Sequence, residues 1–255
     1  MATQKQTWTL IQDVEKFNLN TYMIIVDDEL HYLSRVLRLA VGDSVEITNC
    51  RGTKAFGEIN SITKKECSIK IKDVIEENLK LKKVHVFLAL PKPSTLEDLV
   101  ATVSEMGLEE LHLFRTEKCA SKAPVKLDKL QKISNEAVRI SKSSFSTKIF
   151  YYENKEEFLL KSKNFVENGL NLFCDESHVY ENKVTNSLLG VLKNNDNNQE
   201  NINIIVGPEA SFSDTERQWI QEKIKPFSVS LGQNILRVPN AVTAALSVVD
   251  QFLMG

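Results

Sequence analysis

The sequence has 255 residues, of which 42% are hydrophobic and 26% charged, with a net charge of −2. This length suits one large domain or two ordinary ones, and this composition is typical of a soluble globular protein. The chain has no run of about 18 apolar residues and no signal-peptide pattern, so we expect no membrane segment and a cytoplasmic location. A pI near 6.2 argues mildly against a nucleic-acid binder.

Short strands are predicted over the first 80 residues, because apolar and alternating segments recur there between turn signals. These segments are TWTLIQ, YMIIVD, SVEITN, KAFGEINSI and ECSIKIKDVI. Together with one helix they predict a small β-barrel.

The helix is predicted in DDELHYLSRVLRL, with Asp27 or Asp28 as its N-cap. Three basic side chains, His31, Arg35 and Arg38, should share one face by their spacing. The opposite, buried face should be an apolar stripe of Leu30, Leu33, Val36 and Leu37.

The pattern of predicted elements changes after the polar segment ENLKLKK. We therefore place a domain boundary there, between residues 1–80 and 81–255. Beyond it, strands alternate with helices, which predicts an α/β domain with a mostly parallel sheet covered on both faces. Capping boxes are expected at Ser94 and Ser213, and the last helix from Asn240 to Leu253. The predicted strands are VHVFLAL, ELHLF, KIFYY, LNLFCD, INIIVG and FSVSLG.

Parallel sheets bind ligands outside the carboxyl ends of their strands. Three such ends have unusual sequences: FCDES (173–177), VGPEAS (206–211) and LGQNILRVP (231–239). Each by itself is compatible with a routine strand-to-helix turn. Two of them so close to the C-terminus favour a shared site.

No metal site is expected, because the four cysteines and four histidines are scattered. The cysteines form no CxxC pair, which predicts reduced thiols rather than disulfides or a zinc site. The histidines form no HExxH or His-x-His motif.

Four segments in this order resemble the RsmE family of ribosomal RNA uridine-N3 methyltransferases, within the SPOUT class. They span nearly the whole chain, and their order and spacing are specific. The segments are HYLSRVLRLAVGDSVEITN, LALPKPSTLEDLVATVSEMGLEELHLF, IIVGPEASFSDTE and LGQNILRVPNAVTAAL.

The resemblance implies a PUA-like, RNA-binding β-barrel followed by a SPOUT domain tied in a deep trefoil knot. It implies S-adenosylmethionine as cofactor, ribosomal RNA of the small subunit as partner, and a homodimer with its active site at the subunit interface.

The resemblance also assigns roles to individual residues. Arg237 is the catalytic candidate, because a guanidinium can stabilise the uracil oxyanion formed when N3 loses its proton; a phosphate contact or a dimer salt bridge are alternatives. RNA contacts are expected from His31, Arg35, Arg38, Lys92 and Lys142. The cofactor residues would be Gly207, Pro208, Glu209, Leu231, Gly232, Ile235 and Leu236.

Several family positions differ in this chain, chiefly on the predicted substrate side. The differing residues are Ala210, Ser211, Asn234, Pro239, Asn240, Arg139 and Ile140. They leave two other functions open: a non-catalytic RNA-binding or ribosome-assembly factor, and a SPOUT methyltransferase with another acceptor, such as a ribose 2′-hydroxyl. A basic stripe from Lys118 to Lys142 is a further candidate RNA contact, against a plain solvated helix face.

Overall fold

The computed structural model describes residues 8–77, 82–119, 122–174, 176, 186–195 and 199–254. The chain divides into two compact units. The first comprises Met1–Leu79 and Asn135–Ser146, and the second comprises Lys80–Ser134 and Thr147–Gly255. In the described ranges, no helix is long and apolar enough to span a bilayer.

The first unit is built on a five-stranded sheet in the order β1-β3-β4-β5-β2. β1 pairs with β3 in parallel and the other pairs are antiparallel. Alternate side chains of β4 and β5, including Ala55, Ile59 and Ile69, point into a closed aliphatic core. The strands are Trp8–Ile11 (β1), Tyr22–Ile25 (β2), Ser44–Thr48 (β3), Thr53–Ile62 (β4) and Cys67–Glu76 (β5).

The predicted single α-helix of this unit is wrong in three respects. A short α-helix, Asp27–His31 (α1), passes into a π-helical turn, Tyr32–Val36, and the residue before α1 is Val26 rather than an aspartate cap. The π-turn shifts the later residues round the axis, so Val36 is 60% exposed instead of buried. Arg38 lies beyond the helix with a φ of 53°, outside the helical face predicted for it.

The second unit contains a seven-stranded sheet in the order β10-β12-β9-β11-β6-β7-β8, and every pairing is parallel. The predicted strands all form, and Asn186–Ser187 (β10) is an addition. The others are Lys83–Ala89 (β6), Glu110–Phe114 (β7), Lys148–Tyr152 (β8), Gly169–Cys174 (β9), Asn201–Val206 (β11) and Phe227–Ser230 (β12).

Helices cover both faces of this sheet, as predicted. Strand residues alternate between an aliphatic core on one face and a phenylalanine-rich core on the other. The sequence analysis did not predict Leu188–Asn194 (α5), and the trefoil knot stays a prediction. The remaining helices are Pro93–Glu105 (α2), Leu127–Ser141 (α3), Lys155–Glu167 (α4), Asp214–Lys223 (α6) and Val238–Met254 (α7).

One of the two predicted capping boxes is confirmed. Ser213 caps α6 and Glu216 returns the bond to the backbone of Ser213. The capping box at Ser94 is wrong, because Pro93 occupies the first helical position and moves the N-cap to Lys92. Gly107 follows the C-terminal end of this helix with a φ of 76°, and the amide of Leu108 donates to the carbonyl of Val103.

Candidate active site

A cleft with a cavity volume of about 80 Å³ lies in the second unit, open to solvent at the carboxyl ends of the adjacent strands β12, β9 and β11. Phe173, Val206 and Val229 bring the ends of those three strands to its wall. Two of the three loops singled out in the sequence, those that follow β11 and β12, therefore line one common space. The third, FCDES, contributes Cys174 and Glu176; its residues 175 and 177 fall outside the described ranges.

The loop after β11 carries three of the predicted cofactor residues. Gly207 and Pro208 line the cleft. A side chain at Gly207 would place its Cβ 3.0 Å from the ring of Phe212, so glycine leaves room for this ring. Glu209 does not line the cleft; its Oε1 accepts a hydrogen bond from the amide of Lys92 at 3.1 Å and so holds the loop against the end of β6.

The loop after β12 contributes Leu231, Ile235 and Leu236 to the lining of the same cleft. Gly232 is exposed with a φ of 155°, which favours glycine, and does not line the cleft. Arg237 is exposed immediately before α7 and also lies outside the cleft wall. No ion pair within the described ranges engages its guanidinium.

The sequence analysis missed the charged pair inside the cleft. The guanidinium of Arg217 donates to the hydroxyl of Ser211 at 2.7 Å and lies 3.5 Å from a carboxylate oxygen of Glu176. No local sequence signal marks this pair, because Glu176 lies 41 residues before Arg217 and only the fold brings the two together. Burial raises the pKa of the neighbouring Cys174 thiol to about 12, so this cysteine stays a neutral wall residue and not a nucleophile.

The predicted RNA contacts are divided between the two units. His31, Arg35, Arg38 and Lys142 belong to the first and are exposed, whereas Lys92 is exposed at the start of α2 in the second. The Lys142 ammonium donates to the Thr9 hydroxyl at 2.8 Å. The basic stripe from Lys118 to Lys142 is likewise divided between the units.

Arg139, which stands at a differing family position, has a structural role in the first unit. Its guanidinium binds the carboxylates of Glu29 and Glu136, donates to the carbonyl of Thr9, and lies 4.6 Å from the centre of the Tyr32 ring. These bonds tie the end of α3 to α1 and β1.

Comparison with known families identifies the chain. The family model described as an RNA methyltransferase domain matches residues 77–250, and the model described as an RNA methyltransferase PUA domain matches residues 25–72. The chain belongs to the RNA methyltransferase family. This confirms the resemblance on which the sequence analysis relied, and the PUA-like first domain with it.

The chain is similar to curated proteins and to solved structures. The small-subunit ribosomal RNA methyltransferase E of Rickettsia conorii is 27% identical over 87% of this chain and 86% of its own. The protein of the same name from Synechocystis is 28% identical over 88% and 71%. Among solved structures, that enzyme from Neisseria gonorrhoeae, bound to S-adenosylmethionine, has a TM-score of 0.80 at 16% identity, over 96% of this chain and 98% of its own. That likeness supports the fold of this methyltransferase.

Proposed function

We propose that this protein transfers the methyl group of S-adenosylmethionine to N3 of a uridine in small-subunit ribosomal RNA. The observation that carries the proposal is the shared cleft, which both loops that resemble the family's cofactor loops line. The names of the curated relatives support the same substrate class, and the neisserial structure with its bound S-adenosylmethionine supports the same cofactor.

The residues of the cleft fit this cofactor. Leu231 and Leu236 offer an apolar wall for the adenine, and Arg217 and Glu176 offer opposite charges for the carboxylate and ammonium of the methionine end. When bound, S-adenosylmethionine supplies a methyl group activated by its sulfonium charge.

The protein's part in the reaction is to orient the uridine and to stabilise charge. Uracil N3 must lose its proton to water before it accepts the methyl group, and the negative charge of the resulting anion is shared by O2 and O4. The new N–CH₃ bond forms as the S–CH₃ bond breaks, and S-adenosylhomocysteine leaves as the neutral product. The exposed guanidinium of Arg237, on the same loop as Ile235 and Leu236, is the proposed catalytic group for that oxyanion. Alignment of the two reactants supplies most of the acceleration.

Glu209 acts beside this centre rather than in it. By fixing the 207–211 loop to the amide of Lys92, it keeps one wall of the cleft in place. We also propose that Lys92, Lys142, His31, Arg35 and Arg38 contact the RNA.

A homodimer is proposed because Ile235 is 42% exposed beside the cleft in the single chain, and a second subunit would cover it. A ribosomal RNA substrate further implies the cytoplasm. Light scattering of the purified protein tests the dimer directly: a monomer at micromolar concentration would contradict it.

The function is tested by calorimetry with S-adenosylmethionine and by mass-spectrometric mapping of methylated uridines in ribosomal RNA with and without the protein. We expect saturable binding and one N3-methyluridine that depends on the protein. Absence of binding would favour a non-catalytic RNA-binding factor, and a methyl group on a ribose hydroxyl would favour the other acceptor.

The role of Arg237 is tested with Arg237→Ala, which should abolish methyl transfer while cofactor affinity changes less than about tenfold, or 1.4 kcal/mol. Arg237→Lys keeps the charge but not the planar fork, and should recover only part of the rate. Normal turnover in Arg237→Ala would remove this residue from the mechanism.

A further inference from the structure

Three side chains with metal-binding atoms meet at the amino-terminal edge of the seven-stranded sheet. The atoms of His85, Glu110 and His112 lie within 4.8 Å of one another. His85 is at the start of β6, and Glu110 and His112 are at the start of β7. The parallel register pairs His85 with Glu110 and Phe87 with His112, so residues 25 positions apart along the chain become neighbours.

The Glu110 carboxylate stands between the two imidazoles. One of its oxygens, Oε2, lies 3.3 Å from Nδ1 of His85 and 3.1 Å from Nε2 of His112. Both histidines are buried, whereas the Glu110 side chain is 16% exposed and so gives the cluster a path to solvent. Separations of this size are also those between neighbouring ligands of a zinc ion that is bound at about 2.0–2.1 Å.

His85 supplies the observation that separates a metal site from a set of hydrogen bonds. Its Nε2 lies 3.3 Å from Oδ1 of Asn201, so the ring is held with Nδ1 facing the Glu110 carboxylate. Nδ1 is buried, and no hydrogen bond from the described residues reaches it. A buried polar nitrogen without a hydrogen bond is costly, and a cation bound between it and the carboxylate would remove that cost.

The second histidine is held in the same manner. Its Nδ1 lies 2.9 Å from the hydroxyl of Tyr152, and its ring stacks on Phe150. In metal sites the second ring nitrogen of a histidine is usually hydrogen-bonded in this way, which fixes the ring and its tautomer. Asn201 and Tyr152 would perform this task for His85 and His112.

We propose that His85, Glu110 and His112 bind one divalent transition-metal ion, for which Zn²⁺ is the best chemical match. Two imidazoles and one carboxylate are a ligand set typical of zinc, with water in the fourth position. The site lies at the amino-terminal ends of the strands, and the cleft at their carboxyl ends. The ion would therefore fasten β6 to β7 and take no part in methyl transfer.

The first experiment measures zinc binding to the metal-free wild-type protein. After removal of metals with a chelator, titration with Zn²⁺ against a chromophoric competitor and elemental analysis should both give one ion per chain. Cobalt substitution should give the visible bands of a four-coordinate site. Failure to bind one equivalent of Zn²⁺ would overturn the proposal, and so would an imidazolium His85 in the ¹⁵N spectrum at saturating Zn²⁺.

Variants assign the ligands. His112→Gln should lower zinc affinity more than 100-fold, and Tyr152→Phe, which removes only the supporting hydroxyl, about tenfold. His31→Gln, at an exposed histidine of the other unit, should leave stoichiometry and affinity unchanged. Circular dichroism checks folding, and Tyr152→Phe keeps the test decisive if His112→Gln does not fold. If zinc affinity is unchanged in both His112→Gln and Tyr152→Phe, the ion binds elsewhere and the assignment is refuted.

Discussion

Ser211 lies in the wall of the cleft with a φ of 60°, the left-handed conformation that a residue with a Cβ adopts only at a cost. The serine hydroxyl accepts a hydrogen bond from Arg217 at 2.7 Å, which links the loop to the charged pair. Ser211 therefore combines a costly backbone conformation with a hydrogen bond that fixes the loop.

Glycine and alanine at position 211 separate these two contributions, because both remove the hydroxyl and only alanine keeps the Cβ. We expect Ser211→Gly to be more stable than Ser211→Ala by about 1 kcal/mol in urea unfolding. At Ser247, exposed within α7, the order should reverse by about 1 kcal/mol. Equal stability of the two variants at position 211 would show that the loop relaxes away from this conformation.

Glu77 predicts a pH dependence for the first unit. Burial alone would raise the pKa of this carboxyl, but hydrogen bonds from Lys54 and Ser144 outweigh it and lower the pKa below its usual value. Its folded pKa is thus below its unfolded one, so its contribution is present above about pH 4.3 and is lost as pH falls below that.

Glu77→Gln should therefore lower the unfolding midpoint at pH 7 and flatten its decline between about pH 5 and 3. The control is Glu76→Gln, at the exposed neighbouring residue. Thermal unfolding of the three proteins across this range provides the comparison. A decline in Glu77→Gln as steep as in the wild type would assign the acid sensitivity to other carboxylates.

At the scale of elements, the two serines predicted to cap helices allow a direct comparison, because only one of them forms its cap. Ser213 accepts a hydrogen bond from the amide of Glu216, whereas Ser94 makes no cap because α2 begins at Pro93. Ser213→Ala should cost about 1 kcal/mol of unfolding free energy. Ser94→Ala should change it by less than about 0.5 kcal/mol, measured by urea unfolding. Equal losses would mean that the serines act through something other than capping.

The sequence could predict those features of the fold that depend on local patterns. Strands and long helices follow from local periodicity, so the β/α alternation and the carboxyl-end site were predictable. The π-turn at Tyr32–Val36 was not, because i→i+5 bonding leaves no distinct pattern in a basic, apolar segment. The capping box predicted at Ser94 does not form because the preceding Pro93 takes the first helical position.

Contacts that depend on strand register could not be predicted from the sequence either. Scattered histidines predicted no metal, yet the β6–β7 pairing brings His85 beside Glu110 and His112. Arg217 was missed for a similar reason, since its partner Glu176 follows a strand that lies 41 residues earlier in the chain.

At the scale of the whole molecule, net charge and RNA affinity must be reconciled. The chain carries a net charge of −2, so RNA binding has to depend on local cations. Four exposed candidates have permanent charge: Arg35, Arg38, Lys92 and Lys142. If all four neutralise phosphates of single-stranded RNA, the logarithm of the binding constant should fall with the logarithm of salt with a slope near −3.

Substitution of single lysines tests which of them contribute. Lys92→Ala and Lys142→Ala should each make that slope shallower by about 0.7, since each removes one phosphate contact. Lys163→Ala is the control, because this exposed lysine of α4 already lies 3.7 Å from the carboxylate of Glu167. The slopes come from fluorescence titrations of a labelled RNA at several salt concentrations. A flat response in the wild type would refute an electrostatic RNA surface, and an unchanged slope in either variant would remove that lysine from it.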